Sequence, residues 1–197
     1  INPRAGLHFH SVLRALLRQD PDIIMVGEIR DGETAEIAIK ASQTGHLVLS
    51  TLHTSSTSEA LVRIAQMGVA RWMIASALSL VVAQRLVRKL CPHCRRQHSE
   101  DVTLPPGLWP RALPHWQAIG CEACYHGFCG RVALFEVLSV NRALRQAIAS
   151  GEPAERIEHE ARQEGMLTLF EHGCLAVEQG LTTLEELLRV LGMPHAG

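Results

Sequence analysis

Two pairs of cysteines carry the strongest chemical signal in this sequence. Cys91 and Cys94 form one C-x2-C knuckle, and Cys121 and Cys124 form a second one further along the chain. Thiolates from two such knuckles can complete a closed tetrahedral site for one Zn²⁺ ion. Since a closed site leaves no open coordination position, the spacing predicts a structural zinc ion rather than a catalytic one. Four free buried cysteines are the weaker alternative.

Other potential ligands lie close to the knuckles. Surface positions are the simpler interpretation for four nearby histidines that could replace a cysteine: His93, His98, His115 and His126. Cys129 and Cys174 have no partner at ligand spacing, so we expect both to be small core residues. The chain opens with INPRAG, without an initiator Met or a signal-peptide pattern. We therefore expect a fragment of a longer chain, with reduced or metal-bound cysteines rather than disulfides.

A carboxylate follows the apolar segment within DPDIIMVGEIRD, residues 20–31. This run predicts a strand ending at Gly27, which places Glu28 at the carboxyl end of a parallel strand, where α/β proteins bind ligands. His53 has the equivalent position after the next apolar run, HLVLSTL. A carboxylate there can polarise an attacking water or hold a metal-bound one, and a histidine can contact a terminal phosphate. Position alone fits a solvated Glu28 equally well, and for His53 alone a surface role is the simpler interpretation.

His46 differs from His53, because it precedes the second strand and lies at the opposite edge of the sheet. Position alone therefore favours a strand-end histidine without a functional role, more strongly than it does for His53. A phosphate-binding loop needs the motif Gly-x4-Gly-Lys-Ser/Thr. The lysines of the chain are Lys40 and Lys89, and neither follows a glycine. The residues of this chain therefore cannot build a complete phosphoryl-transfer site by themselves.

The elements that must position these residues follow from the spacing of apolar side chains. The first 90 residues alternate amphipathic helices with short apolar strands, which predicts a parallel sheet flanked by helices, with strands covered on both faces. Asp31 is the expected N-cap of a helix over residues 32–43. The run ARWMIASALSLVVAQ, residues 70–84, predicts a single core helix, and RLVRKL after it predicts a strand.

The second half of the chain has a different character. Residues 91–130 are rich in cysteine and proline, which is typical of a loop-rich region without a large core of its own. A strand is expected in residues 131–140, and helices from Asn141 to the end. The last helix is predicted to open with a capping box from Thr182 to Glu185. The predicted domains are residues 1–90, 91–130 and 131–197.

Composition excludes some classes of function. The 197 residues are 47% hydrophobic, which allows one sizeable core with smaller appendages. A formal net charge of -1 and an aromatic content of 4% argue against nucleic-acid binding. No apolar run approaches the roughly 20 residues that span a bilayer.

Three stretches together resemble the secretion ATPase family, the hexameric motors of type II secretion and type IV pilus assembly. Residues 2–54, from NPRAG to LSTLHT, resemble its region from just after the acidic box through the Walker B and His boxes. AQRLVRKLCPHC and CEACYHGFCGRVALFEVL resemble its tetracysteine region and the strand that follows. The likeness covers nearly the whole chain. It implies an α/β fold: the C-terminal part of a RecA-like P-loop NTPase domain, a tetracysteine zinc-binding insertion and a helical C-terminal region.

The resemblance also implies residue roles. Glu28 matches the Walker B glutamate, which supports water activation and magnesium at the nucleotide, and His46 and His53 match the His box. The implied catalytic pair is Glu28 and His53, and the implied nucleotide-binding set adds Gly27, Arg30 and His46. Arg14 and Arg18, like Arg30, could reach nucleotide or a neighbouring subunit, although surface salt bridges explain these arginines equally well. The four knuckle cysteines match the zinc ligands of the assembly branch, which retraction-type members lack.

The partners implied are those of a secretion motor. The cofactors would be ATP, Mg²⁺ and structural Zn²⁺, in a homo-hexamer that contacts the inner-membrane platform and cytoplasmic accessory proteins of the machinery. These partners would hold a cytoplasmic protein at the periphery of the inner membrane, and no nucleic acid is expected. Since the P-loop is missing, we predict no ATPase activity from the chain alone. The alternative is a truncated, non-catalytic remnant that acts as a zinc-stabilised protein-interaction module.

Overall fold

The computed structural model describes residues 1–195 of the chain. The packing divides the chain into two compact units, each built from two segments. These segments are Ile1–Val81 with Leu138–Gly165 for the first unit, and Val82–Val137 with Met166–Gly197 for the second. The domain limits at residues 90 and 130 stay a prediction, and the last two positions of the predicted 131–197 region lie outside the described residues.

The first unit alternates helices and strands and is completed by two later helices. Its elements are α1 (Phe9–Leu17), β1 (Ile23–Val26), α2 (Gly32–Gln43), β2 (Leu47–Ser50), α3 (Thr57–Gln66), α4 (Arg71–Ala77), and later α5 (Arg142–Ala149) and α6 (Ala154–Gln163). A short 3-10 helix, Pro3–Ala5, precedes them. β1 and β2 pair in parallel, with Ile23 opposite Leu47 and Val26 opposite Ser50. The predicted α/β class and the parallel pairing are therefore confirmed.

The described helices of this unit cover one face of its two strands. Ile24 and Val26 pack with Leu13 of α1 and with Ile37 and Ala41 of α2 in one hydrophobic cluster. Four apolar residues that alternate with them are between 48% and 75% exposed: Ile23, Met25, Leu47 and Leu49. The prediction of strands covered on both faces is therefore wrong for residues 1–195, because α1 and α2 pack on the same face.

Two local features fix the start of α2. The Asp31 carboxylate accepts a hydrogen bond of 2.7 Å from the backbone N–H of Thr34, which confirms the predicted N-cap. Gly32 lies against the end of α3, where a Cβ atom at this position would be 2.0 Å from the carbonyl oxygen of Met67. A fixed start of α2 in turn limits where the short loop after Gly27 can run.

The remaining elements are two pairs of strands and two helices. They are β3 (Leu80–Leu90), β4 (Arg96–Gln97), β5 (Trp116–Gln117), β6 (Phe128–Ser139), α7 (Leu169–Glu178) and α8 (Leu184–Leu191). β3 pairs with β6, and β4 pairs antiparallel with β5. The core of the second unit includes Val87, Leu113, Leu134, Val177 and Leu187. Helices follow β6, as the sequence predicts, and none within residues 1–195 has the length and apolar character of a membrane span.

The predicted helix over residues 70–84 is wrong in its second half. α4 ends at Ala77, Leu78 has an extended backbone with ψ of 130°, and β3 begins at Leu80. The apolar run fits a helix and a buried strand equally well, so its periodicity could not separate them. Pairing with β6 and the adjacent β-branched residues Val81 and Val82 favour the strand.

The predicted capping box of the last helix is displaced by one residue. The Thr183 hydroxyl accepts a hydrogen bond of 3.0 Å from the backbone N–H of Glu186 and caps α8. The Thr182 hydroxyl instead donates to the carbonyl oxygen of Arg88 in β3 at 2.9 Å. Thr182 therefore bonds β3 instead of capping α8, and the spacing of residues in the sequence does not reveal this contact.

Candidate active site and metal centre

The segments that follow β1 and β2 meet where the sequence places the candidate active site. Gly27 comes directly after β1, and its carbonyl oxygen accepts a hydrogen bond of 2.5 Å from the Thr51 hydroxyl. The backbone N–H of Ile29 donates to the carbonyl oxygen of Thr51 at 3.0 Å. These two bonds join the two strand ends, so that Glu28 and His53 come together as predicted from the parallel sheet.

Glu28 is held by two basic side chains. Arg30 Nε lies 2.7 Å from Glu28 Oε2, and His53 Nε2 lies 2.8 Å from Oε1. The Glu28 side chain is 24% exposed, whereas those of Arg30 and His53 are 80% and 87% exposed. The hydrogen bond from Arg30 lowers the pKa of Glu28 against the effect of desolvation, with smaller contributions from the charges of Arg30 and His53. Glu28 is therefore an ionised acceptor at neutral pH.

This geometry leaves Glu28 able to act on a water molecule. A carboxylate has about four lone-pair positions, and the two contacts use one on each oxygen. A water bound at a remaining position would be polarised for nucleophilic attack, and a metal-bound water would fit equally well. The phosphate-binding loop and its lysine are not among the residues of the chain. The residues present fit the water-activating part of a nucleotide site and not its phosphate cradle.

His46 does not join this cluster. Its Nδ1 lies 2.9 Å from the carbonyl oxygen of Ala41 and 3.2 Å from the Thr44 hydroxyl. These contacts place it at the end of α2, before Leu47 begins β2 and therefore at the opposite end of that strand from His53. A nucleotide-binding role for His46 stays a prediction, and the observed contacts support a role in closing α2.

The arginines of α1 make surface contacts. Arg14 Nη2 lies 3.2 Å from Glu33 Oε1, and both side chains are at least half exposed. His10 Nδ1 lies 3.4 Å from the other oxygen of Glu33. Arg18 ends α1 and forms no ion pair within residues 1–195. The surface salt bridge is thus the supported interpretation of Arg14, and contact of either arginine with nucleotide stays a prediction.

Thr51 is a site residue that the sequence analysis missed. Its hydroxyl and its carbonyl oxygen both bond the segment that carries Glu28. A signal was available, because Thr51 is a polar residue directly after the apolar run of β2 and two positions before His53. Its role is to position the Glu28 segment rather than to contact a ligand.

The four knuckle cysteines converge as their spacing predicts. Their Sγ atoms all lie within 4.8 Å of one another. The shortest separations are 3.8 Å for Cys91–Cys121 and 3.7 Å for both Cys94–Cys124 and Cys121–Cys124. A tetrahedron with Zn–S bonds of about 2.3 Å has S–S edges of about 3.8 Å. The cluster therefore fits one Zn²⁺ ion, whereas a disulfide would need a separation of about 2.05 Å.

Tight backbone turns hold the second knuckle against the first. The backbone N–H of Cys121 donates to Cys124 Sγ at 3.2 Å, and that of Cys91 donates to the carbonyl oxygen of Gly127 at 2.9 Å. Gly127 has φ of 91°, and a Cβ atom there would lie 2.6 Å from the Cβ of Ala118. Only glycine suits this position, because it is both left-handed and in close contact.

The four thiols of the cluster do not ionise alike. A backbone N–H from Ala123 favours the Cys121 thiolate, but desolvation and the neighbouring sulfurs raise the pKa of Cys121 to about 12. Burial disfavours the Cys124 thiolate, yet backbone N–H groups of Cys121 and Gly127 and the adjacent thiols lower the pKa of Cys124 to about 7. A bound divalent cation would stabilise all four thiolates together, which is the expected chemistry of a closed zinc site.

The other cysteines and histidines stand apart from this cluster. Cys174 is buried in the core of the second unit, as predicted, and burial raises the pKa of its thiol to about 12. Cys129 is exposed, so its predicted core position is wrong; it belongs to the outward-facing alternate positions of β6. No histidine joins the group of potential ligands within residues 1–195. His115 instead lies 3.0 Å from Glu185.

Comparison with known proteins gives a consistent relationship along the whole chain. A family model described as "Type II/IV secretion system protein" matches residues 1–189. The "Protein transport protein HofB homolog" of Escherichia coli (strain K12) is 72% identical over 195 residues, covering 99% of this chain and 42% of that protein. The "Type IV pilus assembly ATPase PilB" of Pseudomonas aeruginosa is 47% identical over 195 residues, covering 96% of this chain and 34% of that protein.

A solved structure agrees with these relatives. The pilus retraction motor PilT with bound ADP superimposes with a TM-score of 0.67 at 28% identity, covering 95% of this chain and 44% of that one. The chain spans less than half the length of each of these relatives. The family recognised from the sequence motifs is therefore confirmed, and this chain belongs to the type II/IV secretion system protein family.

Proposed function

We propose that this chain is part of an ATP-hydrolysing motor that drives pilin or pseudopilin assembly, in type IV pilus biogenesis or type II protein secretion. Support comes from the family relationship and from the relative named a type IV pilus assembly ATPase. The observation that carries the proposal is the Glu28 carboxylate, which lies at the carboxyl end of β1 between Arg30 and His53. Ligands of open α/β sheets bind at this edge.

In this proposal Glu28 orients and activates the attacking water through the lone pairs that its two partners leave unused. Bound ATP and Mg²⁺ would supply the reacting phosphoryl group and neutralise its developing charge. Arg30 favours the ionised form of Glu28 by lowering its pKa and, being largely exposed, has further N–H groups to offer to phosphate oxygens. His53 shares the same carboxylate, so its ring lies beside the reacting end. Gly27 supplies the backbone that Thr51 anchors.

The cysteine cluster is proposed to hold one structural Zn²⁺ ion. The four Sγ atoms form a closed ligand set, and their closest separations match the edges of a ZnS4 tetrahedron. Such an ion would add folding free energy to a region that is mostly turns and two-residue strands. Because no coordination position stays open, the ion would take no part in hydrolysis.

Family membership also supports a proposal about the assembly. Residues 1–90 would be the later part of a RecA-like P-loop domain, and the complete protein would act as a homo-hexamer. Its partners would be the inner-membrane platform and the cytoplasmic accessory proteins, which would hold it at the cytoplasmic face of the inner membrane. A nucleic-acid partner is not proposed, because a net charge of -1 and 4% aromatic residues provide no evident basic or stacking surface.

One observation favours a second candidate function. The tetracysteine site is complete within the chain, whereas the phosphate-binding motif is not present in its sequence. A chain that acted alone could therefore serve as a zinc-stabilised protein-interaction module without catalysis. Reading the coding sequence before Ile1 for an in-frame Gly-x4-Gly-Lys-Ser/Thr separates the two candidates, since the motor requires that motif.

The experiment is ATP-dependent phosphate release, measured for the product of the complete gene and for the 197-residue chain alone. We expect magnesium-dependent turnover from the gene product and none from the chain, because the chain has no phosphate-binding loop. Turnover by the purified chain would contradict this account. So would a folded gene product that carries the motif and releases no phosphate.

A further inference from the structure

The second unit contains a buried carboxylate, Glu186, that is bound by two arginines. Each arginine keeps N–H groups that the carboxylate does not use. The Glu186 side chain is fully buried, while those of Arg88 and Arg189 are 46% and 59% exposed. Arg88 contacts the carboxylate through Nε at 3.0 Å and Nη2 at 2.7 Å, and Arg189 through Nε at 2.8 Å and Nη2 at 2.7 Å. The backbone N–H of Arg88 donates a further bond of 3.0 Å.

Each guanidinium therefore keeps one edge available. The Nη1 groups of Arg88 and Arg189 make no hydrogen bond to any residue within 1–195, and both side chains reach solvent. Glu186 fixes the two planes, because each is held by two contacts to one buried carboxylate. A pair of oriented N–H donors of this kind is suited to a carboxylate or phosphate oxygen. The donors are already ordered, so binding would cost little side-chain entropy.

These arginines line a cavity of about 600 Å³ in the second unit. Phe128 forms an apolar wall beneath the Arg88 guanidinium, whose carbon lies 4.2 Å from the ring centroid. Ile119 on the same lining is 48% exposed. The segment before Cys121 is anchored at the metal site, because the backbone N–H of Gly120 donates to Cys94 Sγ at 3.3 Å. The cavity thus combines oriented donors with an exposed apolar surface.

The charged side chains that line the cavity restrict the class of ligand further. Glu185 also lines the cavity, with a side chain that is 63% exposed and lies 3.0 Å from His115 Nε2. Glu186 offsets one of the two arginine charges, which leaves one positive charge for a ligand. The exposed Glu185 on the same lining disfavours a phosphate dianion, so a single carboxylate beside an apolar group is the better match. A volume of this size accepts a few side chains of a peptide and not a folded domain.

We propose that this cavity binds a short acidic segment of a partner protein, through a carboxylate on Arg88 and Arg189 and an adjacent apolar side chain on Phe128 and Ile119. This site shares no residue with the candidate active site and needs no nucleotide. It would give the tetracysteine region a recognition role, since residues 115–119 and Phe128, on either side of the second knuckle, line the cavity.

The test is a titration of the zinc-loaded protein with an acetylated, amidated peptide of sequence ALELA, followed by calorimetry and by amide chemical shifts. We expect saturable binding that shifts the amide signals of Ala118 and Ile119. The peptide ALQLA should bind about tenfold more weakly or worse, because a charge-assisted hydrogen bond contributes more than a neutral one. Inorganic phosphate is the second probe and should not displace ALELA.

Two variants test the cavity itself. Arg189→Gln should weaken ALELA binding about tenfold, by the loss of one charged donor. The matched control is Arg111→Gln, because Arg111 also bonds a glutamate and stacks on a tryptophan but lies outside the cavity. Ile119→Glu places a negative charge on the cavity lining, where it would repel the carboxylate of the peptide, so it should abolish ALELA binding. Because Ile119 is half-exposed, the zinc content and the circular dichroism spectrum should stay unchanged.

The proposal is overturned if the zinc-loaded protein shows no saturable binding of ALELA, or if ALQLA binds equally well. It is also overturned if Ile119→Glu folds with zinc and still binds ALELA with unchanged affinity. Phosphate that bound with the same dependence on Arg189 and displaced the peptide would assign the site to phosphate groups instead. None of these outcomes depends on ATP turnover, so they leave the proposed motor function untouched.

Discussion

Glu28 in the first unit and Glu186 in the second are each held by two basic side chains, yet their surroundings differ. Glu28 is partly exposed at a strand end, and both of its partners lie almost entirely in solvent. Glu186 is fully buried and accepts bonds from two arginine side chains and one backbone N–H. Its pKa is lowered to about 2, because the bonds from Arg189 and Arg88 outweigh the effect of burial. The pKa of Glu28 is also lowered, with Arg30 as the main cause.

The difference separates a carboxylate that stabilises a fold from one that can perform chemistry. Exposed ion pairs contribute little to stability, because water screens them and long side chains lose entropy. A buried carboxylate whose bonds are all made is costly to disturb. Glu28 keeps unused lone pairs, whereas the two oxygens of Glu186 accept five hydrogen bonds. The cysteine cluster resembles Glu186 in this respect, because its four sulfur atoms lie close together and form a closed ligand set.

Metal removal should produce the largest loss of stability. It tests whether the closed cysteine cluster, unlike the open Glu28 site, holds the fold together. Structural zinc sites contribute about 10–16 kcal/mol in small peptides. We expect one zinc per chain by elemental analysis, and loss of fixed structure in residues 91–130 when Cys94→Ser removes a ligand. Cys129→Ser is the matched control, because Cys129 is an exposed thiol outside the cluster. A folded wild-type sample without metal would refute the four-cysteine site.

Glu186→Gln should have the next largest effect. Lowering the pKa from 4.5 to about 2 corresponds to about 3 kcal/mol of the free energy of unfolding. We expect a loss of about this size in guanidinium denaturation, since the amide cannot replace the charged contacts to both arginines. Glu36→Gln, which disturbs an exposed pair with Lys40, is the control and should leave stability unchanged. Equal stability of the two variants would show that the buried Glu186 stabilises the fold no more than an exposed ion pair does.

Acid titration tests the same carboxylate in another way. The unfolded chain takes up this proton near pH 4.5, whereas the folded protein keeps Glu186 ionised until about pH 2. The contribution of Glu186 is therefore fully present above about pH 4.5 and is lost as the pH falls toward 2. We expect the stability difference between wild type and Glu186→Gln to shrink over that interval. A difference that stays constant through it would assign the stabilisation to packing.

Sequence patterns predicted the features that follow from a recognised motif or from a general rule of helix capping or strand pairing. The knuckle spacing predicted the cysteine cluster, and Asp31 predicted the start of α2. The expected parallel sheet predicted the contact between Glu28 and His53, because the carboxyl ends of paired parallel strands share an edge. In each case one general rule determines the outcome: a ligand spacing, a helix cap or the parallel pairing of consecutive strands.

Features that depend on distant partners were not predictable in this way. The strand from Leu80 onward has an apolar run that suits a helix until its pairing with β6 is known. Thr182 is drawn to the backbone of Arg88, which is 94 residues away in sequence, so Thr183 becomes the cap instead. The Glu186 cluster was missed for the same reason, since one of its arginines lies 98 positions earlier.

The most direct test of the central claim is ATP turnover by the complete gene product carrying Glu28→Gln. A catalytic carboxylate that activates water contributes about 10²–10⁴-fold to the rate, so we predict a loss of at least about a hundredfold. The unfolding transition should be unchanged, because the contacts of Glu28 are exposed, and Glu36→Gln should match wild type in both measurements. Turnover of Glu28→Gln within a few-fold of wild type would contradict the role assigned to Glu28.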